Sequence, residues 1–346
     1  MNKLLINIIS AFIIDKKKRK IFRTKWLKKR SNLVLLFGFI PLFTIKFNDE
    51  IKNEIDNIKN LMLFPHFIDN LPSIDTAKFT KTINPNEPHI PIFLSSDDNY
   101  APFIATTAAS ICYNTNSFVD IYVLGGGIKE YKKNKILELE KQFNNVKFEF
   151  VKIDLEKEFQ GFQKTYHTLS AYNRLLIPQI TKLNKILYFD VDLVVLSDVL
   201  ELYEENLDDK IIACTFEQIR NGVDGYKISE FNTGVMVMDS EKWRRNNITK
   251  ECFEVAKKYK GKLHAADQSI LNKVFENENY KKLDKKWNVN SSFDKNQDIM
   301  NIRHWAGDIK PWISIIHPKN ANLFWFYAKM TPFFEEIKEN FINSST

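Results

Sequence analysis

From residue 89 onward, short apolar runs alternate with stretches in which apolar residues recur every three to four positions. Runs of four to eight apolar residues are typical of buried strands, and the longer period is typical of amphipathic helices. We predict strands at residues 90–94, 120–124, 147–151, 185–189, 211–215 and 234–238. We predict helices at residues 102–113, 132–143, 170–179, 248–259 and 267–275. The alternation predicts an α/β domain over residues 89–318, with a mostly parallel central sheet flanked by helices.

Residues 1–47 have a different pattern, in which two short apolar stretches, 3–14 and 33–45, flank a segment rich in Lys and Arg. Both are shorter than the roughly 20 apolar residues that a spanning helix needs. The positive charge follows the first stretch, whereas a secretory signal carries it in front. We predict a basic amphipathic segment on an anionic membrane surface. An amphipathic hairpin packed on the following domain and a true span are the alternatives.

Two further segments flank the predicted domain. Residues 48–88 begin with the polar helical pattern NDEIKNEIDNIKNLM and are then interrupted by prolines 65, 72, 85 and 88, which predicts a connector that is helical at first. Residues 319–346 are rich in aromatic side chains and have a helical pattern around Pro332. We predict a C-terminal helical segment there, and an oligomer contact, a second membrane patch and a docked lid remain open as its role.

The net charge of +7 is concentrated at one end of the chain. Residues 1–30 hold eleven Lys or Arg and one acid, which leaves a net charge of −3 for the remaining residues. A nucleic-acid-binding domain would instead carry its basic residues on its folded surface. We therefore predict no nucleic-acid partner.

Three cysteines, Cys112, Cys214 and Cys252, are widely spaced and form no CxxC pair. Their number and spacing imply neither a disulfide framework nor a zinc site. We interpret them as buried core thiols in a reducing compartment, which indicates a cytoplasmic location.

The sequence Asp190-Val191-Asp192 follows the apolar run KILYF and precedes LVVL. Two carboxylates two residues apart in an extended segment lie on the same face and can approach one divalent cation. Burial of two acids beside apolar strands requires a compensating charge, which a metal ion supplies. A loop with two solvated aspartates is the alternative.

A second chemical motif, HWAGDIKPW, lies near residue 304. His304 can add an imidazole to the two carboxylates, and that donor set favours Mn²⁺ over Mg²⁺. Lys310 can neutralise phosphate oxygens, and Gly307 allows close approach of the backbone. A structural histidine is the alternative for His304.

Other polar residues follow predicted strands or open a predicted helix. Those suited to hydrogen bonding with ribose or sugar hydroxyls are Asp97, Asn99, Asn232, Asp267 and Gln268. Helix capping is the alternative, by Asp98 or Asn99 after the first strand and by Asp267 further on. The usual glycine-rich cradles of dinucleotides and triphosphates are absent from the sequence.

Taken together, these segments resemble the family 8 glycosyltransferases over about residues 89–318. Bacterial lipopolysaccharide glucosyl- and galactosyltransferases are the most similar members, and glycogenin and galactinol synthase are more distant. The resemblance is carried, in order, by FLSSDDNYAPFIATTAASI, SAYNRLLIPQI, KILYFDVDLVVLSDVLELY, FNTGVMVMDSEKWRRNNI, ADQSILNKVF, KKWN and HWAGDIKPW.

The resemblance implies a GT-A fold, a UDP-sugar donor, Mn²⁺ and retention of the anomeric configuration. It assigns the metal ligands, which bridge to the diphosphate, to Asp190, Asp192 and His304. It assigns uridine binding to Asp97 and Asn99, and diphosphate contacts to Gly307 and Lys310. Residues around the transferred sugar are Arg174, Asn232, Asp267 and Gln268. Gln268 is placed on the β face, where the family's debated candidate nucleophile lies; catalytic roles are thus implied for Arg174, Asp267, Gln268 and Lys310.

Two segments depart from the family pattern. Ser95-Ser96 replaces small alanines beside the base, and Glu217 stands where the family often has Asp, which leaves the reach of this carboxylate open.

The expected function is transfer of glucose or galactose from UDP-glucose or UDP-galactose to a growing lipopolysaccharide, lipooligosaccharide or other surface glycan. Such a glycolipid acceptor fits an enzyme held at the cytoplasmic face of the inner membrane by residues 1–47. The alternatives are a self-glucosylating primer similar to glycogenin and a non-catalytic membrane scaffold that binds sugar nucleotides.

Overall fold

The computed structural model describes residues 49–344 except 163, 165–167, 222–226, 261, 264, 277–278 and 291–298. The basic segment 1–47 lies outside the described residues, so its association with a membrane stays a prediction. Among the residues that the structure describes, no helix combines the length and apolar character needed to cross a membrane.

Helix α1 (Asp49–Asp69) confirms the helical start of the connector, but it is longer than the prolines suggest. Pro65 lies inside the helix, which ends before Pro72. A proline inside a helix removes one backbone hydrogen bond and crowds the carbonyl four residues earlier, yet this helix continues past Pro65 to Asp69.

Within the described residues, the central sheet has seven strands in the order β3-β2-β1-β4-β7-β6-β8, and a second sheet has three in the order β5-β10-β9. The ten strands of this described part are β1 (Ile90–Ser95), β2 (Val119–Gly125), β3 (Val146–Lys152), β4 (Lys185–Phe189), β5 (Leu193–Val195), β6 (Ile212–Asn221), β7 (Lys227–Asp239), β8 (Lys281–Leu283), β9 (Val289–Asn290) and β10 (Ile302–His304). All six predicted strands are present, with β6 and β7 longer than expected.

The sheet is mostly parallel, as predicted. Strands β1, β2, β3 and β4 run parallel to one another, and β8 is parallel to β6. Strand β7 is antiparallel to both of its neighbours, β4 and β6. Every residue of β1 is buried, as expected for a strand covered on both faces.

The three-stranded sheet brings distant parts of the chain together. Strand β10 pairs antiparallel with β5, so His304 lies opposite Leu193, and it pairs parallel with β9, so His304 also lies opposite Asn290. These strands have two or three residues each, too few for a periodic signal in the sequence. Their pairing places His304 beside Asp192.

The helices of the domain are α2 (Ala101–Asn114), α3 (Glu130–Leu137), α4 (Leu139–Gln142), α5 (Leu155–Glu158), α6 (Ile177–Ile180), α7 (Leu200–Tyr203), α8 (Ser240–Arg245), α9 (Ile248–Lys258) and α10 (Ala266–Val274). The predicted helix 132–143 is divided into α3 and α4. The predicted helix 170–179 is a 3₁₀ helix, Ser170–Leu175, followed by α6. Pro178 lies in the first turn of α6. A backbone N–H in the first turn has no partner within the helix, so the missing N–H of proline costs no hydrogen bond there.

The C-terminal segment forms two helices, α11 (Ala321–Ala328) and α12 (Phe334–Ser344), separated around Pro332. Helix α11 packs on the α/β domain. The ring of Phe324 lies 5.0 Å from that of Trp312, Trp325 donates to the carbonyl of Pro311 at 3.1 Å, and Asn114 of α2 donates to the Tyr327 hydroxyl at 2.7 Å. The segment is therefore docked on the α/β domain, and its role as an oligomer contact, a membrane patch or a lid stays open.

All three cysteines are buried free thiols, as predicted, and burial raises the pKa of each. Because the thiolate is the reactive form, we expect Ellman's reagent to modify the native protein slowly and the guanidinium-unfolded chain at once, with three thiols per chain. Rapid labelling of any thiol in the native protein would contradict this interpretation.

Candidate active site

Three potential metal ligands meet where β4 ends and β10 pairs with β5. Asp190, Asp192 and His304 each offer a ligand atom within 4.8 Å of the others, and the described part of the chain contains this one such cluster. Nε2 of His304 lies 3.1 Å from Oδ1 of Asp192 and 3.9 Å from Oδ2 of Asp190. The sequence prediction that these three residues converge is thus matched by the geometry.

Gly234, in the FNTG segment of β7, makes room for this cluster. Its carbonyl accepts a hydrogen bond from the backbone N–H of Asp190 at 2.8 Å. A Cβ at this position would collide with Cε1 of His304 and would lie 2.7 Å from Oδ2 of Asp190. The absence of a side chain is therefore what allows the aspartate and the histidine to face each other.

Arg174 connects the candidate metal ligands to the residues expected around the transferred sugar. Its guanidinium donates to Oδ1 of Asp190 at 2.7 Å and lies 2.9 Å from Oδ2 of Asp267. It also donates to the carbonyl and the hydroxyl of Thr233. Burial lowers the pKa of Arg174, but the charges of Asp190 and Asp267 outweigh this and raise it. The side chain is a fixed cation between two carboxylates.

Ser95, one of the two departures from the family pattern, supports the 3₁₀ helix that carries Arg174. Its buried hydroxyl donates to the carbonyl of Ser170 at 2.7 Å and accepts from the side chain of Asn173 at 3.0 Å. An alanine could make neither contact.

Asp267 is buried and paired with Arg174, rather than capping its helix. The N-cap of α10 is Ala265, so the capping alternative considered for Asp267 is wrong. Burial raises the pKa of Asp267 to about 6, against the lowering effect of Arg174. The ion pair with Arg174 holds this buried carboxyl in place.

Gln268 and Glu217 contact each other. Nε2 of Gln268 donates to Oε2 of Glu217 at 2.9 Å, and its Oε1 accepts from the backbone N–H of Thr233 at 3.3 Å. Glu217 also accepts from the amides of Asn232 at 3.3 Å and Asn290 at 3.1 Å. The sequence left open which residues the carboxylate of Glu217 contacts. In the structure it contacts Asn232 and Gln268, which the resemblance places around the sugar.

The side chain of Asn288 connects the candidate metal ligands with the residues expected around the sugar. It contacts His304 on one side at 2.9 Å and Asn232 on the other at 2.8 Å. Sequence reasoning assigned no role to Asn288, although it ends the segment KKWN that carries part of the resemblance.

Lys310 is buried and contacts the carboxylate of Asp192. Its ammonium also donates to the carbonyl of Trp305 at 2.6 Å. Burial alone would raise the pKa of Asp192, but Lys310 and His304 hold it well below its usual range. Gly307, in the same segment, has a φ of 91°, the left-handed region that favours glycine.

Asp97 and Asn99 lie at the end of β1, next to the end of β4, because Leu94 pairs with Phe189. Asp97 caps the 3₁₀ turn Asp98–Tyr100 by accepting from the backbone N–H of Asn99 at 2.9 Å. A cap is present, but it is Asp97, so the expectation that Asp98 or Asn99 forms the cap is wrong. Asp98 instead accepts from the backbone N–H of Lys129 at 2.9 Å.

Tyr100, which follows the end of β1, is affected by the charges of both Asp97 and Asp192. Burial raises the pKa of its hydroxyl, and the negative charges of Asp192 and Asp97 raise it further.

Residues 91–316 match the family model described as Glycosyl transferase family 8. The chain belongs to this family. Among curated family relatives, the chain is 29% identical to glycosyltransferase GlyF of Streptococcus pneumoniae over 69% of its own length. It is 32% identical to a putative glycosyltransferase of Haemophilus influenzae over 53% of its length. The chain spans 61% and 58% of these two relatives.

Solved structures show the fold of this family 8 chain. The galactosyltransferase LgtC, crystallised with donor and acceptor sugar analogues, superimposes on this chain with a TM-score of 0.64 at 23% identity. The superposition covers 72% of this chain and 100% of LgtC. The bifunctional glycosyltransferase WbbM superimposes with a TM-score of 0.60 over 74% of this chain and 52% of WbbM. The domain therefore has a GT-A-like fold, as the resemblance implied.

Proposed function

We propose that this chain is a retaining hexosyltransferase that transfers glucose or galactose from a UDP-sugar to a glycan or glycolipid acceptor, with Mn²⁺ or Mg²⁺. The observation that carries the proposal is the convergence of Asp190, Asp192 and His304 within 4.8 Å in a family 8 chain. The same cluster is joined through Arg174 to Asp267, so the proposed metal and sugar sites form one connected unit.

The residues present fit a divalent cation. Two carboxylates and one imidazole suit Mn²⁺ or Mg²⁺, with the nitrogen favouring Mn²⁺, and a side chain at Gly234 would fill the space between His304 and Asp190. When bound, the metal ion supplies Lewis-acid stabilisation of the charge on the departing UDP.

The chain's own residues supply the remaining stabilisation and binding. Lys310 is a buried cation beside Asp192, where it can neutralise the diphosphate as charge develops. Gly307 lets the backbone approach the phosphates. Asp97 and Asn99, at the neighbouring strand end, are proposed to bind uridine.

The sugar-side residues support an orienting role for Gln268 in place of nucleophilic attack. Both ends of its amide are engaged, by Glu217 and by the backbone of Thr233. We propose a front-side displacement, in which the bond from the anomeric carbon to the phosphate breaks as the acceptor oxygen attacks from the same face. The leaving phosphate then takes the proton of the acceptor hydroxyl. Arg174, Asp267 and Asn232 hold the sugar in place.

Gln268→Ala is expected to slow transfer without abolishing it, because an orienting contact is lost while the metal ligands remain. We expect a decrease in kcat of roughly 10- to 100-fold, the scale of losing a positioning interaction. Donor-dependent UDP release in the presence of acceptor measures the effect. A variant as inactive as one lacking a metal ligand would contradict the orienting role and support a nucleophile.

The proposed function is tested by Mn²⁺-dependent UDP release from a panel of UDP-sugars, first without and then with a crude lipooligosaccharide acceptor. We expect release from one donor, abolition by EDTA and enhancement by acceptor. No release from any donor by folded protein would contradict the proposal. A mass increase of the purified protein itself would instead support the self-glucosylating alternative.

The proposed location is the cytoplasmic face of a membrane, held there by residues 1–47. The support is the net charge of +10 in residues 1–30 together with two short apolar stretches. Co-sedimentation with anionic and neutral vesicles tests this proposal by comparing the full chain with a chain lacking residues 1–45. Equal binding of the two chains to anionic vesicles would contradict it.

A further inference from the structure

The carboxamide of Asn288 lies between the proposed metal site and the sugar-side residues. The side chain is fully buried. One of its polar atoms is 2.9 Å from Nδ1 of His304, and the other is 2.8 Å from Oδ1 of Asn232. A neutral histidine carries its hydrogen on either ring nitrogen, so the direction of the contact with His304 decides which nitrogen is free.

The backbone N–H of Gly234 sets that direction. This group can only donate, and it lies 2.9 Å from the carboxamide atom of Asn232 that also faces Asn288. That atom must therefore be the oxygen of Asn232. Its amide nitrogen lies on the other side, where it donates to the carboxylate of Glu217 at 3.3 Å. The carboxamide of Asn232 therefore has only one orientation that satisfies all of these contacts.

The orientation of Asn288 follows from that of Asn232. Because the oxygen of Asn232 accepts, the atom of Asn288 that faces it must be the amide nitrogen, which donates. The remaining atom of Asn288, its carbonyl oxygen, then faces Nδ1 of His304 and accepts. Nδ1 of His304 therefore carries the hydrogen, and in the neutral ring Nε2 carries the lone pair.

Nε2 of His304 faces the two carboxylates, at 3.1 Å from Asp192 and 3.9 Å from Asp190. A lone pair directed at two carboxylates is favourable when a cation lies among them. We propose that Asn288 is a positioning residue that holds His304 in the Nδ1–H form and so presents Nε2 to the divalent cation. This inference rests on the metal site of the proposed function and adds the residue that orients its imidazole ligand.

The tautomer is measured directly by NMR on the full chain labelled with ¹⁵N-histidine and saturated with Mg²⁺, a diamagnetic ion that keeps the imidazole neutral when it binds Nε2. The signal of His304 is identified by its loss in His304→Ala. We expect hydrogen on Nδ1 in the wild type and loss of this preference in Asn288→Ala. Hydrogen on Nε2 in the wild type would overturn the inference, whatever the variants do.

Binding of Mn²⁺ alone, followed by the electron paramagnetic resonance signal of the free ion, gives a second readout. We expect Asn288→Ala to bind about 10- to 100-fold more weakly than wild type, the usual effect of removing the partner of a metal-bound histidine. Asn288→Asp keeps an acceptor for Nδ1 but loses the donor to the oxygen of Asn232, so we expect a Mn²⁺ affinity between those of Asn288→Ala and wild type. An affinity no higher than that of Asn288→Ala would contradict the role of the acceptor that faces Nδ1.

Asn145→Ala is the matched control. Asn145 is equally buried and donates to the carbonyls of Cys112 and Thr115, so its loss has a comparable structural cost away from the site. We expect its Mn²⁺ affinity to equal that of wild type.

The two failures are distinguishable. If the wild type binds neither Mn²⁺ nor Mg²⁺, the proposed metal site is wrong and the inference about Asn288 fails with it. If the wild type binds Mn²⁺ and Asn288→Ala binds it equally well, the inference about Asn288 is wrong and the metal site stands. If Asn288→Ala does not fold, the wild-type spectrum and Asn288→Asp decide the inference.

Discussion

Replacing either aspartate of the cluster, Asp190→Asn or Asp192→Asn, is expected to reduce metal-dependent transfer by roughly 1000-fold, equivalent to about 4 kcal/mol of transition-state stabilisation. An asparagine keeps the shape and one acceptor oxygen but removes the negative charge that a divalent cation requires. UDP release at saturating Mn²⁺ with donor and acceptor measures this loss. Circular dichroism spectra like that of the wild type would show that the fold is retained.

Asp239→Asn serves as the matched control for these two variants. Asp239 ends β7 and caps α8 by accepting from the backbone N–H of Lys242 at 2.8 Å. Asparagine is an equally good cap, so we expect near wild-type transfer. Retained activity in both Asp190→Asn and Asp192→Asn would contradict the metal assignment.

The largest effect on stability is expected for Arg174→Met. The guanidinium contacts two carboxylates, Asp190 and Asp267, and methionine leaves both without their common cation. Removing one partner of a buried ion pair costs about 3–5 kcal/mol, because the other charge stays buried without compensation. Guanidinium unfolding, compared as the free energy extrapolated to water, measures the loss.

The loss in Arg174→Met is also expected to depend on pH. Burial already raises the pKa of Asp267 to about 6, and removal of the neighbouring cation raises it further. A protonated carboxyl needs no countercharge, so the deficit relative to wild type is smaller at pH 5 than at pH 8. An equal deficit at both pH values would contradict this account of Asp267.

Two further variants separate charge from packing at this position. Arg244 is a partly buried arginine that donates to the backbone carbonyls of Pro178 and Thr181, so we expect Arg244→Met to cost less than Arg174→Met. The double variant Arg174→Met with Asp267→Asn is expected to recover part of the stability, since one uncompensated carboxylate is gone. Strictly additive losses would contradict the proposed coupling of Arg174 and Asp267.

The sequence predicted the main elements of the central sheet, because buried strands and amphipathic helices leave periodic patterns within a few residues. The strand at Lys185–Phe189 has the predicted bounds, and α10 differs from its prediction by one residue at each end. The short strands β5, β8, β9 and β10 have two or three residues each. Nothing local distinguishes such strands, which form only through pairing with distant segments.

The motifs of the sequence also indicated the chemistry of the site. The aspartates at 190 and 192 and the histidine at 304 have side chains that suit a divalent cation wherever they meet. The sequence alone therefore determined which candidate ligand residues are present, and the resemblance to family 8 assigned them to one metal site.

Only the tertiary structure decided how these residues contact one another. The pairing of β10 with β5 brings His304 to Asp192 across 112 positions of the chain, and the 3₁₀ helix at Ser170–Leu175 carries Arg174 to Asp190 and Asp267. The direction of the hydrogen bonds through Asn232 and Asn288 depends on one backbone N–H, that of Gly234. Such contacts are set by packing and hydrogen-bond geometry among segments far apart in sequence, and no local pattern encodes them.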